Sequence, residues 1–544
     1  MTAIILGGLR PGIWSAIFLF HCASPGADLT TPLAPRGEPY QLNGSRIVFT
    51  NWTFVRAGGV GWLDREGKPA WATTDYKLDR EEGTWNPEPY NPWGIRIRAH
   101  APSELRKMEI EPEFPWESRQ LAIDSIVEDG GIYKAWGSCG APCYLESKDG
   151  LSWERPKLGL VEHAGSKENN LIPSGPHGQV FIDPTSDSER YKCVYEGSIS
   201  AEEFEKYRAR RPDAWSSVAQ RIINDETRYW CLKGSVSPDG FHWDELPDPL
   251  VVEHCDTLNV GWYDPRRACY TAYVRTWNPL PRAPSIRSSR WDSWLGHARR
   301  SIGITRSRDF RNFPLPRTLL ETGPELPPTI GLYTNCFTWI PKAPECLLMF
   351  PALYDLNDDT TSIRLASSSD GEVWNWIGDE PLMRTAPFGQ WDGGCIFASP
   401  PLLELGDGSF ALRYFGSDVP HKYPRGLMKT GWGYAIWPKG RLIGLEAEER
   451  GEFATVAVIP KGNRLHLNVN TKRAGKVLVA AQTGRHRGPI LEGRSFEDCV
   501  PIVGDHVRVP VRWKDHEDLG LAPGEPVILL FKMERAELFA LEFE

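Results

Sequence analysis

A seven-residue phrase, Ser-x-Asp-(Gly or Phe)-x-x-(Trp or Phe), occurs four times in this chain and restricts its fold more than any other feature. The copies begin at Ser147, Ser237, Ser307 and Ser368, so they stand 90, 70 and 61 residues apart. Their acids are Asp149, Asp239, Asp309 and Asp370, and their closing aromatics are Trp153, Trp243, Phe313 and Trp374. Recurrence at such spacing marks a supersecondary unit that buries its apolar face only by stacking on copies of itself. Asp-Gly is a strong signal for a two-residue type I′ hairpin, which needs φ > 0 at both central positions, and an Asp side chain can also bond nearby backbone N–H groups. The phrase therefore predicts a tight turn pinned to its neighbour by the closing aromatic.

Ahead of each copy the sequence predicts a further hairpin of apolar strands, over 126–136, 180–195, 260–275 and 337–350. Two hairpins per unit make a four-stranded antiparallel sheet. A fifth unit without the Asp phrase runs from 396 to 440. Radial stacking hides the edges of such sheets, whereas a parallel β-helix would repeat at half this length or less. The expected fold is all-β, a five-bladed β-propeller over residues 116–443 followed by a C-terminal β-sandwich over 444–544. Residues 39–115 carry strand signals and read as a β-rich appendage packed on the propeller.

Residues 1–38 are an N-terminal extension or signal segment. The apolar run 13–22 has only Arg10 as a basic residue ahead of it and is too short to span a bilayer, so secretion and a cytoplasmic location both stay open. With 62 basic and 71 acidic residues the net charge is -9, which excludes a general affinity for nucleic acid. No membrane partner is expected, and the oligomeric state is not legible. The 11 cysteines are scattered through apolar strands, and neither Cys139 with Cys143 nor His254 with Cys255 has a second pair at zinc spacing. No cofactor and no metal centre are expected, with a structural calcium left open.

The blade phrases, with residues 144–156, 165–170 (Gly-Ser-Lys-Glu-Asn-Asn) and 391–394 (Trp-Asp-Gly-Gly), resemble bacterial propeller proteins grouped with glycoside hydrolase families 32 and 43. The resemblance covers most of residues 40–544. It implies a hydrolase of carbohydrate metabolism, a glycosidase acting on an oligo- or polysaccharide through carboxylates at the axial mouth of the propeller. The family 32 motifs Trp-x-Asn-Asp-Pro-Asn and Arg-Asp-Pro are absent, and the lone Glu345-Cys346 lies in a turn, so no catalytic residue carries over by motif.

Glycoside hydrolysis needs two carboxyls flanking the scissile bond. The repeat, used as its own alignment, assigns Asp183 and Asp264, each followed by Pro, to the first hairpin turn of their units. Asp256 and Asp392 instead precede inner strands, as does Glu117, with Asp124 seven residues further on. Asp256, Asp392 and Glu117 are the expected catalytic set, sharing one axial pocket in which one of them holds a proton near neutral pH. Trp116, Trp391, Tyr333, Asn335, Arg275 and His421 are the expected substrate-binding groups, giving flat aromatic faces and hydrogen-bond donors. Two other readings stay open: a non-catalytic carbohydrate-binding propeller, and a polysaccharide lyase that would use a Tyr or His base beside a charge-neutralising Arg.

Overall fold

The computed structural model describes residues 38–58, 62–63, 69–70, 91–108, 110–114, 116–117, 122–138, 140–279, 298–485 and 488–544. The segment 13–22 and Cys139 lie outside the described residues. Strands dominate, and among the described residues the only α-helix is Ala201–Arg210. No helix is long and apolar enough to cross a membrane.

Five successive antiparallel sheets follow one another along the chain. The first is built from Ala122–Asp129, Ile132–Ser138 and Pro142–Ser147. The second holds Gln179–Ile182, Tyr191–Ser200, Glu226–Ser237 and Gln220–Ile223, and the third Val260–Asp264, Cys269–Pro279, Ala298–Ser307 and Arg317–Leu320. The fourth is split into two ladders, because the long pairing of residues 330–340 with 343–355 is interrupted around 333–336. The fifth is Cys395–Glu404, Phe410–Ser417 and Thr430–Trp437, and its fourth strand is Glu104–Lys107 from the N-terminal segment. First strands of neighbouring sheets touch. Ala122–Asp129 lies against Gln179–Ile182, which lies against Val260–Asp264, and Cys395–Glu404 contacts both Phe337–Ile340 and Ala122–Asp129.

The repeated phrase follows the third strand of each of the first four sheets, and its chemistry explains its recurrence. In the first copy Asp149 Oδ1 accepts from the backbone N–H of Leu151 at 2.8 Å and of Ser152 at 2.7 Å, while Ser147 Oγ accepts from Gly150 N–H at 2.8 Å. Burial opposes ionisation of Asp149, but these donors outweigh it and draw its pKa down to about 2; Asp239 and Asp309 fall to about 2 in the same way, and Asp370 is lowered too. The turn is not the type I′ hairpin expected from Asp-Gly. Only the residue after each Asp has positive φ, between 57° and 83°, because the carboxylate caps two N–H groups ahead of it and leaves the Asp backbone in an ordinary conformation.

Each phrase also docks on the sheet before it. Tyr434 of the fifth sheet donates to Gly150 O of the first at 2.9 Å, Trp136 of the first to Gly240 O of the second at 2.6 Å, and Tyr273 of the third to Gly371 O of the fourth at 3.2 Å. In the third copy Phe310 packs 5.6 Å from Phe181 and 5.2 Å from Tyr270. The contact from Tyr434 to Gly150 joins the last unit to the first.

The C-terminal part is an eight-stranded sheet dominated by two long, bulged strands, Leu465–Thr483 and Val527–Phe543. Sequence periodicity divides each of them in two, because bulges between Thr471 and Lys476 shift the inward face without ending the pairing. Among the described residues of 39–115, Tyr40–Gln41, Arg46–Ile47 and Arg96–Ala99 pair into this C-terminal sheet, Glu104–Lys107 adds to the fifth, and Trp62–Leu63 pairs with Pro69–Ala70. Leu467, Val479, Phe531 and Leu538 share one apolar core with Phe350 and Trp437 of the fourth and fifth sheets. All nine described cysteines are buried, six of them as small apolar fillers of strands. Between the far ends of the first strands lies a cavity of about 1000 Å³, lined among others by Phe181, Trp262, Phe337 and Leu403 and reached by Arg508 of the C-terminal sheet.

Candidate active site

The chemistry gathers where the first strands begin. Ahead of Val260–Asp264 the loop holding His254 and Asp256 is stapled by Asn259, whose Nδ2 donates to Cys255 O at 3.0 Å and Thr257 O at 2.9 Å. Arg275, on the second strand of this sheet, donates from Nη1 to Asp256 Oδ1 at 2.6 Å and from Nη2 to Tyr333 O at 2.8 Å. Its guanidinium lies 4.1 Å over the Tyr333 ring. Tyr333 in turn meets His421, its hydroxyl 2.7 Å from Nε2. Four of the residues expected at the site, Asp256, Arg275, Tyr333 and His421, therefore form one connected cluster.

His254 completes the Asp256 environment. Burial pushes its imidazole below the ordinary value against the pull of Asp256, so the ring is neutral near pH 7. A neutral ring here has one consistent hydrogen-bonding arrangement: Nδ1 accepts from Arg221 Nη2 at 2.7 Å, and Nε2–H donates to Asp256 Oδ2 at 3.2 Å. The ring stacks 5.4 Å from Trp277 at 12°. Burial alone would raise the Asp256 pKa, but Arg275 and His254 overcome it and hold the carboxyl well below the usual range. Asp256 is thus fixed as an anion. It is therefore not the member of the expected set that holds a proton, because its loop delivers it to a buried guanidinium.

A carboxyl raised above its ordinary range occurs at Asp124 instead, on a side chain that stays exposed. A bulge between Ile123 and Ser125 interrupts the first sheet there and turns the Asp124 side chain toward solvent. Its backbone carbonyl accepts from Gln179 Nε2 at 2.7 Å and from Arg413 Nη2 at 3.0 Å, which ties the second and fifth sheets to the first at this point. Surrounding protein raises its pKa by desolvation, against the opposing charge of Arg413. Arg413 itself is buried with backbone and hydroxyl acceptors, lies 4.3 Å from the Trp432 ring, and is lowered by burial to about 10. Arg413 and Gln179 escaped the sequence reading, since nothing in an isolated strand marks which polar residue crosses to another sheet.

The remaining expected residues serve other purposes. Glu117 is closed off from solvent, paired with Arg155 Nε at 2.6 Å and accepting from Glu113 N–H at 2.7 Å. Such a carboxylate has no face free for a substrate, which corrects its place in the catalytic set. Trp116 stacks on Phe114 at 4.6 Å and donates to Asn170 at 3.3 Å, packing the loops of the first sheet. Asp392 is buried and accepts from Tyr414 Oη at 2.8 Å, with Trp391 stacked 5.5 Å from the same tyrosine. Among the described residues no hydrogen bond or ring contact links either pair to Asp256. Asn335 spends its amide on backbone, donating to Leu258 O and Tyr273 O at 3.1 Å and accepting from Phe337 N–H at 3.0 Å; it joins the third and fourth sheets. Asp183 and Asp264 hold turns as the repeat alignment requires: Asp183 accepts from Thr185 and Tyr270, and Asp264 from Arg266 and Arg267. Among the described residues no group of His, Cys, Asp and Glu is arranged to hold a metal ion.

No family model and no curated protein sequence match this chain. Among solved structures it is similar to a family 32 β-fructofuranosidase of Bombyx mori, at 11% identity over 82% of this chain and 94% of that one, with a TM-score of 0.34. It is similar also to a sucrose-6-phosphate hydrolase of Lactobacillus gasseri, at 9% identity over 81% and 93% with a TM-score of 0.34, and to a thermostable family 43 glycoside hydrolase, at 13% over 60% and 92% with a TM-score of 0.33.

Proposed function

We propose that the five sheets are the blades of a propeller capped by a C-terminal β-sandwich, and that the chain is a glycoside hydrolase acting on an oligo- or polysaccharide at the rim formed by Asp124 and Asp256. The observation that carries this reading is the opposite displacement of the two carboxyls, Asp124 raised by desolvation and Asp256 held anionic by Arg275 and His254. Titratable groups driven apart in this way are the arrangement that acid–base chemistry on a glycosidic bond requires. In the proposed reaction the Asp124 carboxyl protonates the leaving glycosidic oxygen as the C1–O bond breaks. Asp256 faces the positive charge that develops on the ring, and a water adds at C1, its proton restoring the Asp124 carboxyl. Tyr333 offers a flat face for a sugar. The residues invoked act without a cofactor.

A second reading rests on a different contact. Tyr333 Oη within 2.7 Å of His421 Nε2, beside the Arg275 guanidinium, is a base and charge-neutraliser pair suited to β-elimination from a uronate by a polysaccharide lyase. Incubating the purified protein with a panel of nitrophenyl glycosides and plant and algal polysaccharides separates the readings. New reducing ends without ultraviolet-absorbing unsaturated products support hydrolysis, and unsaturated ends support the lyase. Binding without turnover of any substrate moves the chain to a non-catalytic carbohydrate-binding role.

A further inference from the structure

Arg300 stands apart from the other cations of the rim. It lies on Ala298–Ser307, directly across the ladder from Trp277, and is only partly accessible. Its guanidinium is boxed by three aromatic rings, 4.9 Å from Trp277, 5.3 Å from Tyr333 and 5.1 Å from Tyr354. Arg275 has Asp256 as its counter-ion, but no carboxylate pairs with Arg300 among the described residues, and its buried Nε has no hydrogen-bond partner. Two further buried polar atoms nearby are unsatisfied, Arg275 Nε and Thr334 Oγ1, the latter beside Tyr333. Burial and the neighbouring charge of Arg275 disfavour the Arg300 cation more than Tyr333, Tyr354 and Asp256 favour it, a balance that a bound anion would shift.

A half-buried guanidinium that no described carboxylate pairs with is costly to keep, and its N–H donors match an oxyanion held bidentately. The side chain stays partly accessible among the three rings, and such rings favour the flat body of a sugar over a small free ion. From this cluster we infer that the rim is built for an anionic saccharide, with Arg300 binding a carboxylate or sulfate carried on a sugar ring. The inference rests on the saccharide reading of the site and adds the charge class of the substrate. It holds for either the hydrolase or the lyase.

The test is calorimetric binding to the full chain with matched pairs of ligands. One pair is trigalacturonate and its methyl ester; the other is a sulfated galactan oligosaccharide and its desulfated form. At least one acidic member should bind 10-fold or more tightly than its neutral partner, with affinity falling as salt rises. Replacing Arg300 with Met should abolish that preference, and Arg300→Lys should restore part of it. The pair that shows the preference identifies the oxyanion as carboxylate or sulfate. Equal binding of acidic and neutral members, no measurable binding of either acid at millimolar concentration, or a preference that survives Arg300→Met would overturn the inference. Cleavage of a neutral polysaccharide at full rate by Arg300→Met would overturn it as well, while leaving the hydrolase reading intact.

Discussion

The Arg275 guanidinium donates to Asp256 Oδ1 at 2.6 Å from a side chain only 1% exposed, so this carboxylate, its one ion-pair partner among the described residues, is what permits its burial. Asp256→Asn should therefore destabilise the fold as well as impair turnover. A fully buried pair costs about 3–5 kcal/mol when broken; with the carboxylate 30% exposed, solvent screening reduces the expectation to about 2 kcal/mol. Because the folded pKa is depressed, this contribution is present above the unfolded value of about 3.9 and lost as pH falls below it. Urea denaturation at pH 7 and pH 3 checks this: the gap between wild type and variant should shrink at the lower pH.

Glu117 gives the contrasting case. Its side chain is 0% exposed and Arg155 4%, so Glu117→Gln removes the buried partner of a guanidinium that keeps only the exposed Glu113 carboxylate at 2.8 Å, and should cost about 3 kcal/mol. Well below the melting temperature its turnover should stay within a few-fold of wild type, since the carboxylate touches nothing at the rim. A hundredfold loss of kcat in a folded Glu117→Gln variant would return this residue to the catalytic set.

Acid stability is a property of the repeated phrase. Asp149, Asp239 and Asp309 have folded pKa values near 2, below their unfolded values, so they stabilise the fold above about pH 4 and lose that effect as pH falls toward 2. Replacing them with Asn one after another should flatten the fall in melting temperature between pH 4 and pH 2. An acid limb unchanged in the triple variant would mean that other carboxylates set it.

The repeat made the sheets legible before any coordinates, because a turn motif recurring at 61 to 90 residues leaves few ways to bury the faces between. Asp256, Arg275, Tyr333 and His421 were legible too, each lying where an inner strand begins or just past the fifth sheet. What escaped was whatever depends on contact between units. Glu117 and Asp256 look alike as acids ahead of strands and both meet a buried arginine; what separates them is the exposure of the carboxylate, 0% at Glu117 and 30% at Asp256. Asp124 stays outside the expected catalytic set because a bulge that turns one side chain outward leaves no mark on local periodicity. The helix Ala201–Arg210 had a visible start signal, Ser200 with Glu203 as a capping box, hidden by the all-β expectation.

The most direct test is Asp124→Asn, assayed on whichever polysaccharide the wild type cleaves, with stability measured on the same preparation. Because the folded environment raises the Asp124 pKa, folding disfavours its anion relative to the unfolded chain, and a neutral Asn should leave the melting temperature unchanged or slightly higher. Loss of the acid should lower kcat by about 10²–10⁴-fold and remove one limb of its pH profile. Retention of full activity with an unchanged pH profile would contradict the assignment of Asp124 as the proton carrier, and with it the proposed hydrolytic rim.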